Sequence, residues 1–171
     1  MTSETPIPVS TPALASEQES LPALPIAIRP MRAEDIPWIT DSWLRSSRES
    51  HYGVPHDEYM DTMRRVIKRL FGRSRIAIAC DPEDSDQTFG FVVWEPREGR
   101  KPLLHWAYTK HSFRRFGIFR RLMTIVDPEQ QGAVATHGSP MLQDLRKGGF
   151  DLALRPHLLL GSLCGREERE Q

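Results

Sequence analysis

The chain has 171 residues, 39% of them hydrophobic and 27% charged, which is typical of one soluble domain. The 23 basic and 23 acidic residues cancel, which argues against a whole-domain nucleic-acid interface, and no apolar run approaches the ~20 residues of a membrane-spanning helix. Two cysteines, Cys80 and Cys164, are too few for a disulfide framework or a four-cysteine metal site, so we expect free thiols and no bound metal. No basic and apolar segment follows Met1, so the sequence predicts a cytoplasmic protein.

Composition divides the chain into three parts. Residues 1–24 consist largely of Ser, Thr, Pro, Glu and Ala, and a segment with so few large apolar groups is predicted to be a disordered leader. A folded domain is expected over residues 25–164, followed by a charged tail over residues 165–171. A Pro-rich docking motif is the alternative for the leader, with only weak PxxP spacing in its favour.

The first ordered elements are predicted to be one short strand and two helices. The strand covers residues 24–29. An apolar stripe at helical spacing predicts a helix over residues 33–47, in which Pro37 is tolerated only if it lies in the first turn. A second stripe of the same period predicts a helix over residues 57–71, with its methionines in the core.

The pattern then changes to strand periodicity. Three strands are predicted, of which the first two form a hairpin, over residues 75–80, 89–95 and 103–109. The elements predicted after them are a helix over 115–126, a strand over 133–136, a helix over 140–147 and a strand over 150–160. The resulting order predicts an α/β (α+β) fold, in which a mixed, mostly antiparallel sheet carries helices on both faces.

The segment most informative about chemistry runs from Tyr108 to Met123, where a strand passes through a basic turn into a helix. Five cations and no acid occur between Lys110 and Arg121, and Gly117 lies within the turn. Unpaired amides at a helix start, arginines, and a glycine that lets the backbone approach a ligand together suit a phosphate group. The alternatives are a solvated basic face, which is common, and a local nucleic-acid patch, which the neutral net charge disfavours.

This turn resembles the acyl-CoA-binding motif of the GCN5-related N-acetyltransferases. The family motif is Q/R-x-x-G-x-G/A, and the chain reads Arg114-Arg115-Phe116-Gly117-Ile118-Phe119. Residues 28–37 are similar to the family's opening strand and first helix, and residues 138–150 to its late region. The likeness therefore spans about residues 26–155, and it implies the fold of that family.

The resemblance implies an N-acyltransferase that uses acetyl-CoA as cosubstrate and acetylates an amine of an unidentified small molecule or protein. In this family the pantetheine arm pairs with the strand before the motif, and the pyrophosphate lies on the turn. The residues of this chain that match those positions are Tyr108, Thr109, Lys110, Arg114, Arg115, Phe116, Gly117, Ile118, Phe119 and Arg120. Acyl-CoA and the acceptor amine are then the partners, without a membrane or a nucleic acid, and the oligomeric state stays open.

Three positions depart from the family pattern. Phe119 stands where the motif has its second small residue, Gly138 replaces an Asn, and Leu145 lies where a Tyr acid is usual. These departures keep a second function open, that of a binding or interaction module that retains the fold without catalysis. The intact phosphate cradle from Arg114 to Gly117 favours the enzyme.

Candidate catalytic residues lie on the strand before the turn and just after the next strand. His105 is the first candidate for the base, since an imidazole titrates near neutrality, and His137 is the second. The alternative for His105 is a buried histidine without a catalytic role. Tyr108 is the candidate acid. Alternation along the strand puts residues 103, 105 and 107 on one face and 104, 106 and 108 on the other, so His105 and Tyr108 act together only if the strand bulges.

Overall fold

The structure of the chain is a computed structural model that describes residues 24–139, 142, 143, 146 and 149–164. Six strands form one sheet in which the spatial order equals the chain order. The strands are β1 (Ala27–Pro30), β2 (Arg75–Cys80), β3 (Thr88–Glu95), β4 (Leu103–Thr109), β5 (Ala133–Ala135) and β6 (Leu152–Leu154). The α-helices whose bounds are described are α1 (Ile36–Ser47), α2 (His56–Phe71), α3 (Ile118–Val126) and α4 (Leu158–Cys164).

Strand direction within the sheet changes at β4. Strands β1 to β4 form an antiparallel meander, in which β2 and β3 are the predicted hairpin. The β4–β5 and β5–β6 pairs are parallel, which requires crossover connections, and α3 lies in the first of them. The predicted mixed, mostly antiparallel sheet is therefore confirmed.

Helices cover both faces of this sheet, and each face has its own apolar core. Helices α1 and α2 pack on one face, over strand residues that include Ile78 and Phe91. Helix α3 packs on the other face, over residues that include Phe89 and Val92. Pro37 lies in the first turn of α1, as predicted. Within the described part of the chain, no helix is long and apolar enough to cross a membrane.

A close approach of backbone at Gly90 holds the end of β4 beside the start of α3. Gly90 of β3 pairs with Thr109 of β4. A Cβ atom added to Gly90 would lie 2.4 Å from the carbonyl oxygen of Tyr108 and 3.3 Å from Cγ2 of Ile118. A side chain at this position would therefore push apart the two elements that carry the predicted phosphate turn.

The helix predicted over residues 115–126 begins three residues later than expected. Arg115 and Gly117 have φ values of 71° and 77°, which lie in the left-handed region and outside the range of a right-handed helix. Helix α3 therefore begins at Ile118, with Gly117 as the residue before it. The three preceding residues belong to the turn, which leaves more of the motif free to contact a ligand.

The strand predicted over residues 150–160 is wrong over most of its length. Only Leu152–Leu154 are strand, and α4 follows after one turn. Pro156 lies in that turn, where its fixed φ and missing N–H are well tolerated at the start of a helix. The helix predicted over 140–147 falls mostly on residues outside the described part of the chain, as do the leader and the charged tail.

Strand β4 bulges at His105, which makes the predicted assignment of its faces wrong. The pairing register with β3 shifts between Val93 and Trp94, and His105 is the extra residue opposite that step. One extra residue reverses the alternation of side chains beyond it. Leu104 and Ala107, which alternation puts on opposite faces, consequently pack together in the core beneath α3.

Candidate functional site

A cavity of about 720 Å³ opens where the end of β4, the start of α3 and the end of α1 meet. We call it the β4 cavity. Its wall consists mainly of residues 106–109 of β4, residues 113–115 and 117–120 around the basic turn, and Arg45, Ser46 and Glu49 at and just after the end of α1. This volume lies within the range of about 300–1,000 Å³ that is usual for small-molecule sites.

The structure brings eight of the ten residues predicted to bind the cosubstrate together around the β4 cavity. They are Tyr108, Thr109, Arg114, Arg115, Gly117, Ile118, Phe119 and Arg120. These residues come from a strand end, a turn and a helix start, and no helical or strand period alone would have grouped them. Phe116 is not part of the wall. Binding by any of these residues stays a prediction.

The Lys110 side chain is not part of the wall of the β4 cavity, and binding of the cosubstrate by this residue stays a prediction. Its Nζ donates a hydrogen bond to Thr88 Oγ1 at 3.0 Å and lies 5.1 Å from the ring centroid of Trp38. Burial lowers the pKa of this ammonium group. The physical reason is that a hydroxyl and an aromatic face on β3 and α1 offer the ammonium partly desolvated partners.

The turn before α3 presents backbone amides to the β4 cavity. The first hydrogen bond inside α3 runs from the Arg121 N–H to the Gly117 carbonyl, so the amides of the preceding residues point out of the helix start. Gly117 has a φ of 77° and no atom within 4 Å of an added Cβ, so the backbone is open to the cavity there. Arg114, Arg115 and the amides together form a positively charged rim.

Strands β4 and β5 diverge beside the β4 cavity. Their described pairing covers only Leu103 and Leu104, and one further hydrogen bond of 3.0 Å runs from the Thr136 N–H to the Leu104 carbonyl. The rest of β4 stays paired with β3 on its other side. The edge of β4 over residues 106–109 therefore lines the cavity rather than a neighbouring strand.

The end of α1 forms a wall that sequence reasoning missed. Arg45, Ser46 and Glu49 line the β4 cavity, and Ser46 Oγ accepts a hydrogen bond of 3.2 Å from Trp106 Nε1. Glu49 is the single acid among the described residues of the wall. The sequence signal was weak, because a polar run after an amphipathic helix is usually a solvated end.

Phe119 occupies part of the β4 cavity, where the motif of the resembling family has a small residue. Its ring contacts Phe150 edge to face, with centroids 5.3 Å apart, and both rings line the wall. Phe150 precedes β6, so the pair joins the start of α3 to the last strand. The cavity is therefore narrower and more apolar at this point than a glycine or alanine would leave it.

A second cavity of about 480 Å³, the β5–β6 cavity, adjoins the first. Glu49 and Ser139 belong to the walls of both cavities. Gly138 lines it as well, and its carbonyl accepts a hydrogen bond of 3.2 Å from Ser50 Oγ. The position of Leu145 lies outside the described residues. The two cavities meet at a carboxylate and a hydroxyl, which together are able to bind a protonated amine.

His105 is buried, with both of its ring nitrogens already in hydrogen bonds. Its relative exposure is 1%, its Nε2 lies 3.1 Å from Glu95 Oε1, and its Nδ1 lies 3.0 Å from Thr136 Oγ1. Direct proton transfer from an amine to His105 would require breaking one of these bonds. The geometry thus favours a role for His105 behind another residue.

His137, the second candidate for the base, is half-buried just after β5, near the point where β4 and β5 diverge. Its Nδ1 lies 3.0 Å from Thr136 Oγ1 and 3.1 Å from the carbonyl oxygen of His105. The ring packs edge to face on Trp106, with centroids 5.9 Å apart. Burial lowers the pKa of His137 from 6.5 to about 4. His137 is therefore neutral at neutral pH.

Glu95 anchors the other end of these contacts. Its second oxygen accepts a hydrogen bond of 3.1 Å from Ser162 Oγ of α4, and Arg73 donates to the carbonyl of Ser162. The hydrogen bond from His105 holds the pKa of the Glu95 carboxyl below its usual range, although burial opposes that shift. Glu95 is therefore a carboxylate at neutral pH. Sequence reasoning missed it because its partners come from β4 and α4.

Two solved structures of similar fold are acetyltransferases by their descriptions. One is a Corynebacterium glutamicum protein described as histone acetyltransferase HPA2 and related acetyltransferase, with a TM-score of 0.51 and 15% identity over 72% of this chain and 83% of that one. Another is a candidate acetyltransferase from Pyrococcus furiosus, with a TM-score of 0.51 and 14% identity over 85% of this chain and 95% of that one. No family model matches the chain, and no curated protein sequence matches it.

Proposed function

We propose that this chain, which has the fold of the GCN5-related N-acetyltransferases, binds an acyl-CoA in the β4 cavity and transfers its acyl group to an amine. The observation that carries the proposal is that three features meet at one cavity. They are a left-handed glycine turn at a helix start, a rim of exposed arginines, and a strand edge that no neighbouring strand covers. A phosphate-rich ligand with a long amide-bearing arm matches all three features.

In the proposed binding mode, each of these three features of the cavity contacts a different part of acyl-CoA. The amides around Gly117 and the rim arginines Arg114, Arg115 and Arg120 hold the pyrophosphate, because helix starts and guanidinium groups both stabilise anions. The pantetheine arm lies along β4 at Tyr108 and Thr109, where its amides hydrogen-bond to the strand edge. This arrangement places the thioester near the point where β4 and β5 diverge, at Trp106, whose ring contacts that of His137.

The proposed chemistry begins with an amine that enters through the β5–β6 cavity, is held at Glu49, and reacts as the free base after its ammonium proton has passed to solvent. Its nitrogen bonds to the thioester carbon while the carbon–sulfur bond breaks. His137 accepts the proton that the nitrogen loses, because an N–H becomes strongly acidic as that bond forms. Tyr108, which lines the β4 cavity, gives the departing thiolate a proton. The products are an amide and a thiol, so atoms and charges balance.

A second candidate function is binding of acyl-CoA without acyl transfer. Phe119 favours it, since its ring and that of Phe150 narrow the β4 cavity at a position where the motif expects a small residue. The two functions share the same first step and differ in turnover. Release of free thiol from acetyl-CoA in the presence of amines of several classes separates them, because a binding module holds the thioester without cleaving it.

Substituting Gly117 tests the binding site. Gly117→Asp adds a carboxylate where the pyrophosphate is proposed to lie, and Gly99→Asp is the matched control. Both glycines are exposed, have left-handed φ values of 77° and 64°, and have no atom within 4 Å of an added Cβ. The two variants therefore carry similar backbone strain and the same charge change, but Gly99 lies in the β3–β4 loop, outside the wall of the β4 cavity.

Calorimetric titration with CoA gives the readout. We expect Gly117→Asp to weaken CoA binding by about tenfold or more, equivalent to at least ~1.4 kcal/mol, and Gly99→Asp to leave it unchanged. Equal affinities for the parent and for Gly117→Asp would refute the proposed site. No binding of CoA to the parent chain would refute the proposed function itself. A cytoplasmic location and metal-independent activity stay predictions.

A further inference from the structure

We infer that Glu95, His105 and Thr136 form a hydrogen-bond relay that fixes the tautomer of His137, with its Nδ1 protonated and its Nε2 free to accept a proton. The inference rests on the proposed function for its catalytic meaning. It concerns positioning residues from three elements that no sequence motif joins. The relay itself stands on four distances between 3.0 and 3.1 Å.

The direction of the relay is set at Glu95. A carboxylate has no hydrogen to donate, so the bond of 3.1 Å to His105 requires the hydrogen to lie on Nε2 of His105. In the inferred arrangement His105 is neutral, so it has a lone pair on Nδ1. Thr136 Oγ1, 3.0 Å away, must donate its single hydroxyl hydrogen to that lone pair.

Two independent acceptors then require a hydrogen on Nδ1 of His137. The hydroxyl hydrogen of Thr136 is used by His105, so Thr136 Oγ1 can only accept from His137. The carbonyl oxygen of His105, 3.1 Å from the same Nδ1, can never donate. In neutral His137 the remaining lone pair is therefore on Nε2. His105 and His137 are inferred to hold opposite tautomers.

The relay lies among groups that influence its protonation. A positive charge on His105, or on His51, whose Nδ1 lies 2.9 Å from the carbonyl oxygen of Ser47, would disfavour a positive charge on His137. Arg73 acts on Glu95 from the α4 side. The Glu95 carboxylate is the group whose charge offsets an imidazolium formed at His137, and the hydrogen-bonded chain connects the two. This is the same division of tasks as in a catalytic triad, where a carboxylate orients and supports the base.

The structure also allows a purely structural role, because the same bonds join β3, β4, α4 and the end of β5. The experiment therefore needs a measurement that does not change when only the packing of these elements changes. Long-range ¹H–¹⁵N correlation spectra of the imidazole rings in the full chain report which nitrogen carries the hydrogen. At neutral pH we expect His105 to be protonated on Nε2 and His137 on Nδ1. The opposite tautomer at His137, or the same tautomer at both rings, would overturn the inference.

Two variants extend the test without removing either histidine. In Glu95→Gln the amide can both donate and accept, so we expect the His105 ring to populate both tautomers. Thr136→Val removes the hydroxyl at nearly constant volume, and Thr136→Ser retains it. If the chain is an acyltransferase, Thr136→Val lowers kcat by about tenfold to a hundredfold, leaves the KM for acetyl-CoA unchanged, and Thr136→Ser restores kcat.

The outcomes of these measurements keep the inference separate from the proposed function. Spectra that show opposite tautomers support the relay even if the parent chain has no turnover, whereas calorimetry with CoA decides the binding function. A Thr136→Val variant that melts at a lower temperature but keeps the parent's kcat and pH profile would make the chain of bonds structural and overturn the relay. Should Thr136→Val not fold, the Glu95→Gln spectra still decide it.

Discussion

The lowered pKa of His137 makes the stability of the fold depend on pH in a window that can be calculated. In the unfolded chain a histidine titrates near 6.5, and in the folded chain the pKa of His137 is about 4. Between these values the unfolded chain binds more protons than the folded one. The free energy of unfolding therefore falls as the pH drops from 7 towards 4, and it is at its full value above pH 7.

The magnitude follows from the distance in pH below the unfolded pKa. At pH 5 the unfolded imidazole is ~1.5 pH units below its pKa, while the folded imidazole is still mostly neutral. Each unit corresponds to about 1.4 kcal/mol, so His137 lowers the free energy of unfolding by up to about 2 kcal/mol between pH 8 and pH 5. The physical cause is burial beside Trp43 and Trp106, which disfavours the charged ring.

Urea unfolding of the parent and of His137→Asn at pH 8 and pH 5 isolates this contribution. The asparagine amide can still donate to Thr136 and to the carbonyl of His105 but does not titrate. Protonation of paired carboxyl groups such as that of Asp35 also destabilises the fold in acid. This effect is the same in the parent and the variant, so it cancels when their free energies of unfolding are compared. We expect the parent to lose about 2 kcal/mol more than the variant. Equal losses would show that His137 titrates as in the unfolded chain and would refute the desolvated setting described for it.

Two further predictions concern the packing that holds the site. Gly90→Ala would place a Cβ against the Tyr108 carbonyl oxygen, so we expect it to lower the free energy of unfolding by about 1–3 kcal/mol or more. In the control Gly72→Ala, the nearest atom to the added Cβ is the Arg69 carbonyl oxygen at 3.6 Å, and we expect the free energy of unfolding to change by less than ~0.5 kcal/mol. Tyr59→Phe removes a buried hydroxyl that donates a hydrogen bond of 2.6 Å to the Leu44 carbonyl. Urea unfolding should show that this variant loses about 1–2 kcal/mol of the free energy of unfolding. The control Tyr52→Phe changes a side chain that is 98% exposed and should leave that free energy unchanged.

The parts of the site that could be predicted from the sequence are those whose residues lie close together along the chain. The turn from Arg114 to Arg120 is contiguous, and its glycine, its arginines and the strand before it are all visible within about a dozen residues. Strand and helix periods placed these elements correctly, apart from the start of α3. That error came from Arg115, whose left-handed φ is unusual for a residue with a side chain and gives no sequence signal.

The parts that the sequence did not predict depend on tertiary contacts. Glu49 lies in a polar run that also fits a solvated helix end, and only the packing of α1 beside β4 brings it to the β4 cavity. Glu95 ends a strand and meets His105 ten residues later through the register of the β3–β4 pair. Pro156 is compatible both with an edge strand and with the turn before a helix, and in the structure it lies in the turn before α4.

The bulge at His105 is the feature on which the site depends most, and it explains why alternation misassigned the strand. Regular alternation would separate His105 from Tyr108 by the thickness of the sheet. With the extra residue, Trp106 and Tyr108 pack on the α1–α2 side, and the bonds from His105 through Glu95 reach α4, which packs against α2 on that same side. The half-buried Glu95 of β3, acting through His105, and the cavity-lining Tyr108 can thus serve the same face of the sheet. Bulges near sites that bind or react are expected on this ground, since a single inserted residue re-aims a side chain at little cost to the ladder.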